Sequence, residues 1–572
     1  MSSLRLLSSL RRFLPWLALA LIAGLWAAAQ IRPPQAAQAA AVRAIAGRVV
    51  DEQGEPVEHV EVRLYINDER EPVAHAISQG DGSYVLILPD DDVTSLRIEF
   101  TRAHFYPVTW TASLRELNDV LDHGGLVLED TVLKRRLTAG FWAATLIFVG
   151  MLVIIATERL HNTLAALLAV AVLFGVSFVG GAIEPSLFVF TFEQALRHVD
   201  FEVIFLLLGM MIVIGVIEET GIFQWLAYQA YRLSKGKVWL LVIILMGFTA
   251  IATALLDNVT TMLLISPITI EIALAMGINP LSLLMPALLA SNVGGLSTLI
   301  GTPVNIMIGS YEGLSFNDFL FNLTPGVLLA EAGLMVFLLL WYRKEYRKAS
   351  TRISPTLLKR LEENGRIRDP LKLRRAGMVF VGLLGLFIFG AQLHLTPAIS
   401  AIIGAVAMLL WVHQDIKQMM GVVDWTTLIF FLALFMVIGA VQEVGLISLI
   451  AEAVGRVVGN SLTVALLIVI WTSAFFSGVI DNIPFAAAML PVVAFLTRNI
   501  PGAQNNVLYY GLAVGADMGG NGTLIASSAN LVVAGIAERA GYPVTFKKFL
   551  KVGAPATLIT VAIGCVWLFL HF

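Results

Sequence analysis

Residues 254–267 read ALLDNVTTMLLISP, and residues 478–491 read GVIDNIPFAAAMLP. Each stretch sets an Asp-Asn pair inside an apolar run and closes on a proline, and the two stand 224 residues apart. The same offset lays Asp200 on Asp424, Gly215 on Gly439, Glu219 on Glu443, Gly221 on Gly445 and Pro267 on Pro491. Beyond one inserted residue near 501–505 the offset becomes 225, which lays Gly294-Gly295 on Gly519-Gly520, Thr298 on Thr523 and Asn305 on Asn530. Chance does not place so many polar, glycine and proline identities in register. The chain is read as two copies of one unit.

A second matched pair follows: SNVGGLSTLIGTPVN (291–305) and ADMGGNGTLIASSAN (516–530). Glycines and hydroxyl residues here interrupt what is otherwise one spanning helix. At membrane depth, backbone outside a helix is tolerated only where it is buried in protein or lines a cavity. Its freed N–H groups suit an anion and its freed carbonyls a cation. The Asp-Asn stretches read as re-entrant hairpins whose tips need polar partners. A duplicated apolar unit with matching polar breaks points to a secondary transporter.

Composition supports a membrane setting. Of 572 residues 58% are apolar and 14% charged, and mean hydropathy is +0.81, whereas soluble chains run near about 45–50% apolar and about 25% charged. A net charge of -3 gives no footprint for nucleic acid, and the single Cys565 gives no disulfide framework or cysteine metal cluster. Charge is unevenly distributed: residues 42–136 carry 18 acidic and 10 basic residues, and 343–375 carry 12 Lys or Arg and four acids. The remaining apolar runs are 138–157, 163–183, 202–217, 237–256, 282–308 and 326–342, then 376–393, 397–413, 425–441, 461–479, 506–535 and 554–571. The domain reading is a segment 1–41, an acidic domain 42–136, a first repeat 137–342, a basic linker 343–375 and a second repeat 376–572.

Arg5, Arg11 and Arg12 precede an apolar run from Phe13 to Ala29 and a small-residue stretch, the pattern of a signal peptide or a membrane anchor. Either exports the domain that follows. In that domain, short alternating runs such as Val60-Glu61-Val62-Arg63-Leu64 are punctuated by Gly54-Glu55-Pro56 and Gly80-Asp81-Gly82, which predicts a small β-sandwich. The string GRVVDEQGEPVEHVEVRLY…GDGSYVLILP resembles the carboxypeptidase regulatory-like domain. His59, His75 and His104 have no metal-ligand spacing.

The two Asp-Asn hairpins and the two Gly-rich breaks together resemble the ion transporter superfamily, which holds citrate and dicarboxylate carriers, arsenite permeases and sodium–proton antiporters. LDNVTTMLL, IDNIPF and GGNGTLI most resemble its melanosomal P-protein group and bacterial relatives, over about 138–572. One departure is IGTPVN, where Thr302 replaces the acid of the group's Ile-Gly-Asp-Pro-Pro-Asn. The resemblance implies two inverted repeats, each with a sodium site, and a substrate between them. Carried over, the first ion site is Thr253, Asp257, Asn258 and a carbonyl near Gly301; the second is Ser477, Asp481, Asn482 and a carbonyl near Ala526. Substrate contacts fall on Thr260, Thr302, Pro303, Asn305, Thr523, Ser527 and Asn530, with Asp517 and Asn521 on the second broken helix. The positive-inside rule puts the basic linker in the cytoplasm; six spans per half would then make the repeats parallel. One run, 163–183 or 397–413, is therefore expected to be less than a full span.

A charge at the membrane centre costs at least about 2.5–3.5 kcal/mol on insertion scales, so Asp257, Asp481 and Asp517 are functional candidates. A carboxylate away from water is stabilised by a proton or a cation, and two such acids repel a dianion unless neutralised. Glu218, Glu219 and Glu443 read as interfacial, and Glu331 is a weaker candidate. The expected protein is a polytopic α-helical transporter of a small ion with a β-sandwich domain. Its substrate is an anion of citrate, dicarboxylate or arsenite type coupled to Na+ or H+, or else it exchanges Na+ for H+. Its expected partners are that ion, the bilayer and a second copy as a homodimer, with no cofactor beyond the coupling ion. Its expected location is a bacterial inner membrane with the sandwich on the periplasmic side. An intramembrane aspartyl protease needs Gly-x-Gly-Asp, where this chain has Val514-Gly515-Ala516-Asp517. A receptor lacks an output domain, and no P-loop supports a pump.

Overall fold

The computed structural model describes residues 43–572 apart from 53, 68, 70, 89–92, 114, 117–124, 158, 349–361, 364 and 413–415. The expected signal or anchor, 1–41, and much of the basic linker lie outside the described residues. The chain divides into two compact units between Arg136 and Leu137.

The first unit is built on strands β1 (Ala44–Asp51), β2 (Glu61–Ile66), β3 (Ala74–Ile77), β4 (Ser83–Ile87), β5 (Leu96–Thr101), β6 (Val108–Thr111), β7 (Gly125–Val127) and β8 (Thr131–Leu133). One sheet runs β4-β1-β7 with β8 also on β1, and the other runs β3-β2-β5-β6. Period-two alternation explains their packing. In β5, Leu96, Ile98 and Phe100 are buried while Arg97, Glu99 and Thr101 are not. They join Ile45, Val62, Leu64, Tyr84 and Leu86 in one core. Burial pushes the Tyr84 hydroxyl up to about 12.

The second unit is helical. Its first ten principal helices are α1 (Ala139–Ala156), α2 (Asn162–Phe174, continued by a wider π turn to Ile183), α3 (Phe192–Arg197), α4 (Phe201–Glu218), α5 (Ile222–Ser234), α6 (Val238–Leu255), α7 (Asn258–Ala275), α8 (Leu281–Gly295), α9 (Pro303–Glu312) and α10 (Phe316–Trp341). The next ten are α11 (Pro370–Phe389), α12 (Pro397–Val412), α13 (Ile416–Val422), α14 (Trp425–Glu443), α15 (Leu446–Val458), α16 (Leu462–Ser477), α17 (Asn482–Asn499), α18 (Val507–Gly519), α19 (Ser528–Arg539) and α20 (Phe546–His571). From α3 to α9 each helix has a partner ten places later, at about the offset read in the sequence, and α10 is matched by α20 at the longer offset of 230.

Among the described residues, eight helices are long and apolar enough to cross a membrane: α1, α2 with its extension, α4, α6, α7, α10, α14 and α20. Of the two runs suspected of falling short, 162–183 has the length of a span and α12, at 16 residues, does not. Helices α5 and α15 are absent from the list of apolar runs because they are short and two-faced. Each starts from a glycine with positive φ, Gly221 (79°) and Gly445 (92°), a conformation that a Cβ disfavours. Helix α7 was hidden for another reason: Asn258, Thr260, Thr261, Ser266 and Thr269 dilute its hydropathy to 1.5, the lowest of the eight. Pro267 lies inside α7 rather than closing a hairpin, as Pro491 lies inside α17.

Two helices sit at the centre. Residues 282–302 and 507–522 are buried throughout, so α8 and α18 present no face to lipid, as expected of a helix apolar all round. Helix α8 packs on α6, and α18 on α16. The contact is close in both copies: a Cβ on Gly294 would collide with Ala250, and one on Gly519 would lie 2.7 Å from the Ala474 carbonyl. Small residues let backbones meet this way. The halves also exchange partners, α7 against α19 and α9 against α17, α4 against α12 and α14 against α2.

Candidate functional site

The first pair of breaks is set by aspartates. Helix α6 ends at Leu255, and Leu256 is extended. Asp257 then caps α7, its carboxylate accepting the Thr260 N–H at 2.8 Å. In the other copy Asp481 caps α17 by accepting the Ile483 N–H at 3.1 Å. A helix start leaves N–H groups without intrahelical partners, and an aspartate satisfies one while opposing the positive helix end. Asp481 also accepts from Asn162 Nδ2 at 3.2 Å, with the Ser528 hydroxyl at 3.5 Å.

The second pair of breaks, between α8 and α9 and between α18 and α19, is tied by asparagines. Asn305 Nδ2 donates to the carbonyls of Gly295 (3.2 Å) and Thr298 (2.8 Å). Asn530 Nδ2 donates to those of Gly520 (2.8 Å) and Thr523 (2.9 Å). The end of a broken helix exposes carbonyls, and one amide closes two of them in each copy. The break hydroxyls reach the C-terminal ends of α6 and α16, Thr298 donating to the Ala254 carbonyl and Thr523 to the Gly478 carbonyl, the latter at 2.7 Å. Thr302 caps α9 by accepting the Asn305 N–H at 3.2 Å, with Pro303 in the first helical position, where a missing N–H costs nothing.

Between these breaks runs a chain of side-chain amides. Asn258 Nδ2 donates to Asn292 Oδ1 at 3.0 Å, and Asn292 Nδ2 donates to Asn521 Oδ1 (2.9 Å) and Asn530 Oδ1 (3.1 Å). Asn521 passes the chain on to the Leu289 carbonyl at 3.2 Å. From the other copy, the Thr302 hydroxyl donates to Asp517 Oδ2 at 2.9 Å, and Asn482 lies beside the same carboxylate. Asn305, Asn521 and Asn530 are fully buried. A buried polar network of this kind is stabilising only where its members are satisfied.

The residues singled out from the sequence therefore fall around the paired breaks, with differences in what their side chains do. The Thr253 hydroxyl donates to the Thr249 carbonyl (2.9 Å) and meets Ser291 Oγ (2.8 Å), and Ser477 Oγ donates to the Ala516 carbonyl at 2.6 Å. Gly301, buried in the first break, packs on the Gly295 carbonyl; Ala526 is buried in the second. Thr260 is half-buried and Ser527 starts α19 without a side-chain cap. Asn292 and Asn162 were missed. Asn292 lies at offset 225 from Asp517 but differs from it, so only the register of the repeat, and not an identity, marks it; Asn162, opening an apolar run, carries no such mark.

Other acids stand apart. Glu219 pairs with Lys372 and accepts from Gln418, and Glu443 meets His198 at 3.3 Å. Glu331 is buried on α10 with neither oxygen partnered. A cavity of about 340 Å³ is lined by residues such as Leu206, Leu299, Ile306, Phe387 and His394 and so adjoins the first break. Among the described residues no Lys or Arg side chain is buried.

Sequence comparison gives relatives that align over most of this chain. An uncharacterized transporter of Mycobacterium tuberculosis is 37% identical over 430 residues, 75% of this chain and 98% of that one. The P protein of Homo sapiens is 31% identical over 558 residues, 84% of this chain and 65% of the P protein. Among solved structures, the YdaH transporter of Alcanivorax borkumensis aligns with a TM-score of 0.46 at 14% identity, over 75% of this chain and 98% of that one. With eight apolar helices and transporters among its relatives, the chain is an integral, multi-pass membrane protein. The family model described as citrate transporter matches residues 152–515, and at that coverage the chain belongs to the citrate transporter family.

Proposed function

We propose that this secondary transporter carries a small anion, of carboxylate or arsenite type, together with Na+ or H+. The coupling ions bind at the two aspartate-capped breaks, one around Asp257 and Asn258 and one around Asp481 and Asn482. The anion occupies the ground between them, near Thr302, Asn305, Thr523 and Asn530. The observation that carries this reading is the amide chain from Asn258 through Asn292 to Asn521 and Asn530, which joins both copies at their breaks. Four helices, α7, α9, α17 and α19, begin at those breaks, and helix N-termini favour anions. The repeats are inverted in this reading, the basic linker is cytoplasmic, and the β-sandwich faces the periplasm across a bacterial inner membrane. The working unit is a homodimer.

A second reading, Na+/H+ exchange, draws on one observation. Among the described residues the buried ionisable groups of the helical unit are acids, with no buried Lys or Arg to meet a dianion. An anion then needs co-bound cations, whereas exchange needs only the acids. Flux in proteoliposomes separates the two. A Na+ gradient and a pH gradient are imposed in turn, and uptake of citrate, dicarboxylates, arsenite and Na+ itself is followed. Anion uptake driven by either gradient supports the first reading. Na+ movement against H+ with no anion flux supports the second, and no driven flux of any of these ions sinks both.

A further inference from the structure

The two copies differ at several places in their polar centre, among them Leu296 against Asn521 and Asn292 against Asp517, and only the second of these exchanges an amide for a carboxylate. In the first copy position 292 is an asparagine, and its Nδ2 reaches the amide oxygen of Asn530 in the second copy at 3.1 Å. At the equivalent place in the second copy stands Asp517, and the residue equivalent to Asn530 is Asn305. An ionised carboxylate has no hydrogen to give. The consequence is visible in two atoms: Asn305 Oδ1 and Asp517 Oδ1 are both buried without a hydrogen-bond partner. Asn305 is fully buried and Asp517 is 2% exposed. A turn of the amide does not resolve this. Asn305 Nδ2 is held by the carbonyls of Gly295 and Thr298, so exchanging its N and O would set an acceptor against two acceptors. Thr302 connects the pair, taking the Asn305 N–H and giving its own proton to Asp517 Oδ2.

A buried charge is retained where it is paired, and among the described residues no Lys or Arg side chain is buried. We propose that Asp517 and Asn305 hold one alkali cation between the two broken helices, where in the other copy the Asn292 N–H meets the Asn530 oxygen directly. Carboxylate, amide and hydroxyl oxygens are the hard donors such ions take, and a single positive charge neutralises the single carboxylate. The site adjoins the second aspartate-capped break, since Asn482 lies beside the Asp517 carboxylate, and the assignment rests on the reading of the chain as an ion-coupled transporter.

Binding of radiolabelled Na+ to the purified full-length protein in detergent tests it, read by scintillation proximity. The compared proteins are wild type, Asp517→Asn, the double variant Asp257→Asn/Asp481→Asn, and the triple variant. Three sites of one ion each predict that Asp517→Asn loses about one third of saturable binding, and the double variant about two thirds. The triple variant then binds none. Asp517→Asn also restores the donor that Asn292 supplies, so its melting temperature without Na+ matches or exceeds that of wild type. Should that variant not fold, Asp517→Ser is read in its place. Wild-type capacity in Asp517→Asn, or no Na+ binding by wild type, overturns the site. If the double variant binds like wild type while Asp517→Asn loses its Na+, this site stands and the ion role of Asp257 and Asp481 falls.

Discussion

Asn292 donates across the two copies to Asn530 at 3.1 Å, while it accepts from Asn258 at 3.0 Å within its own copy. One side chain thus joins the start of α7 in the first copy to the broken helix of the second. Coupled transport requires that occupation of one site be felt at another, and this residue is one hydrogen-bonded link between the two copies.

Replacing Asn292 with Ala is expected to lower stability by several kcal/mol. The partners left behind, Asn258 Nδ2, Asn521 Oδ1 and Asn530 Oδ1, are buried, and each unpartnered group costs roughly 1–3 kcal/mol. Thermal melting in detergent measures it. A melting temperature equal to that of wild type would mean that the amide chain contributes nothing to the fold.

Asp257→Asn and Asp481→Asn should separate folding from transport. Both aspartates cap helices by accepting one backbone N–H, and asparagine caps about as well. The helices therefore keep their starts while the charge disappears. The expected result is monodisperse, normally melting protein with no gradient-driven flux. Normal coupled flux in both variants would remove these acids from the ion path.

Gly294→Ala and Gly519→Ala probe the closest packing of the central helices. The added methyl would collide with Ala250 in one copy and lie 2.7 Å from the Ala474 carbonyl in the other. Overpacking of this kind costs typically about 1–3 kcal/mol. The offset makes the two sites equivalent, so both variants should lose stability by similar amounts in the same melting assay. A neutral effect at either would show that α8 and α6, or α18 and α16, can slide apart freely.

Much of this centre could be read from the sequence because duplication marks position. The Asp-Asn pairs, the Gly-Gly pairs and Asn305 with Asn530 recur at fixed offsets, and the structure puts them at four matching breaks. What escaped was asymmetric or amphipathic. Asn162 reaches Asp481 from a helix outside the matched stretches, and Asn292 differs from its counterpart Asp517, so an identity-based alignment passes over it. Helices α5 and α15 bury one face only, and α7 holds too many hydroxyl groups to read as an apolar run. Each of these depends on what a side chain meets across the fold, which periodicity does not record.

Ser477 offers a test of two roles that the same hydroxyl could fill. Resemblance makes it an ion ligand, whereas its Oγ donates to the Ala516 carbonyl at 2.6 Å and so ties α16 to α18. That carbonyl also receives the Gly520 N–H at 3.2 Å, so losing the serine leaves it partnered. Ser477→Ala should therefore lower stability by about 1 kcal/mol in Na+-free buffer, the usual net worth of one hydrogen bond. Added Na+ should raise the melting temperature of the variant less than that of wild type, because a ligand at free concentration L stabilises by RT ln(1 + L/Kd) and weaker binding raises Kd. A variant that melts like wild type without Na+, yet responds less to it, would make the hydroxyl a ligand alone. A variant destabilised without Na+ but with an unchanged response to it would make Ser477 a tie between helices, with no place in the ion site.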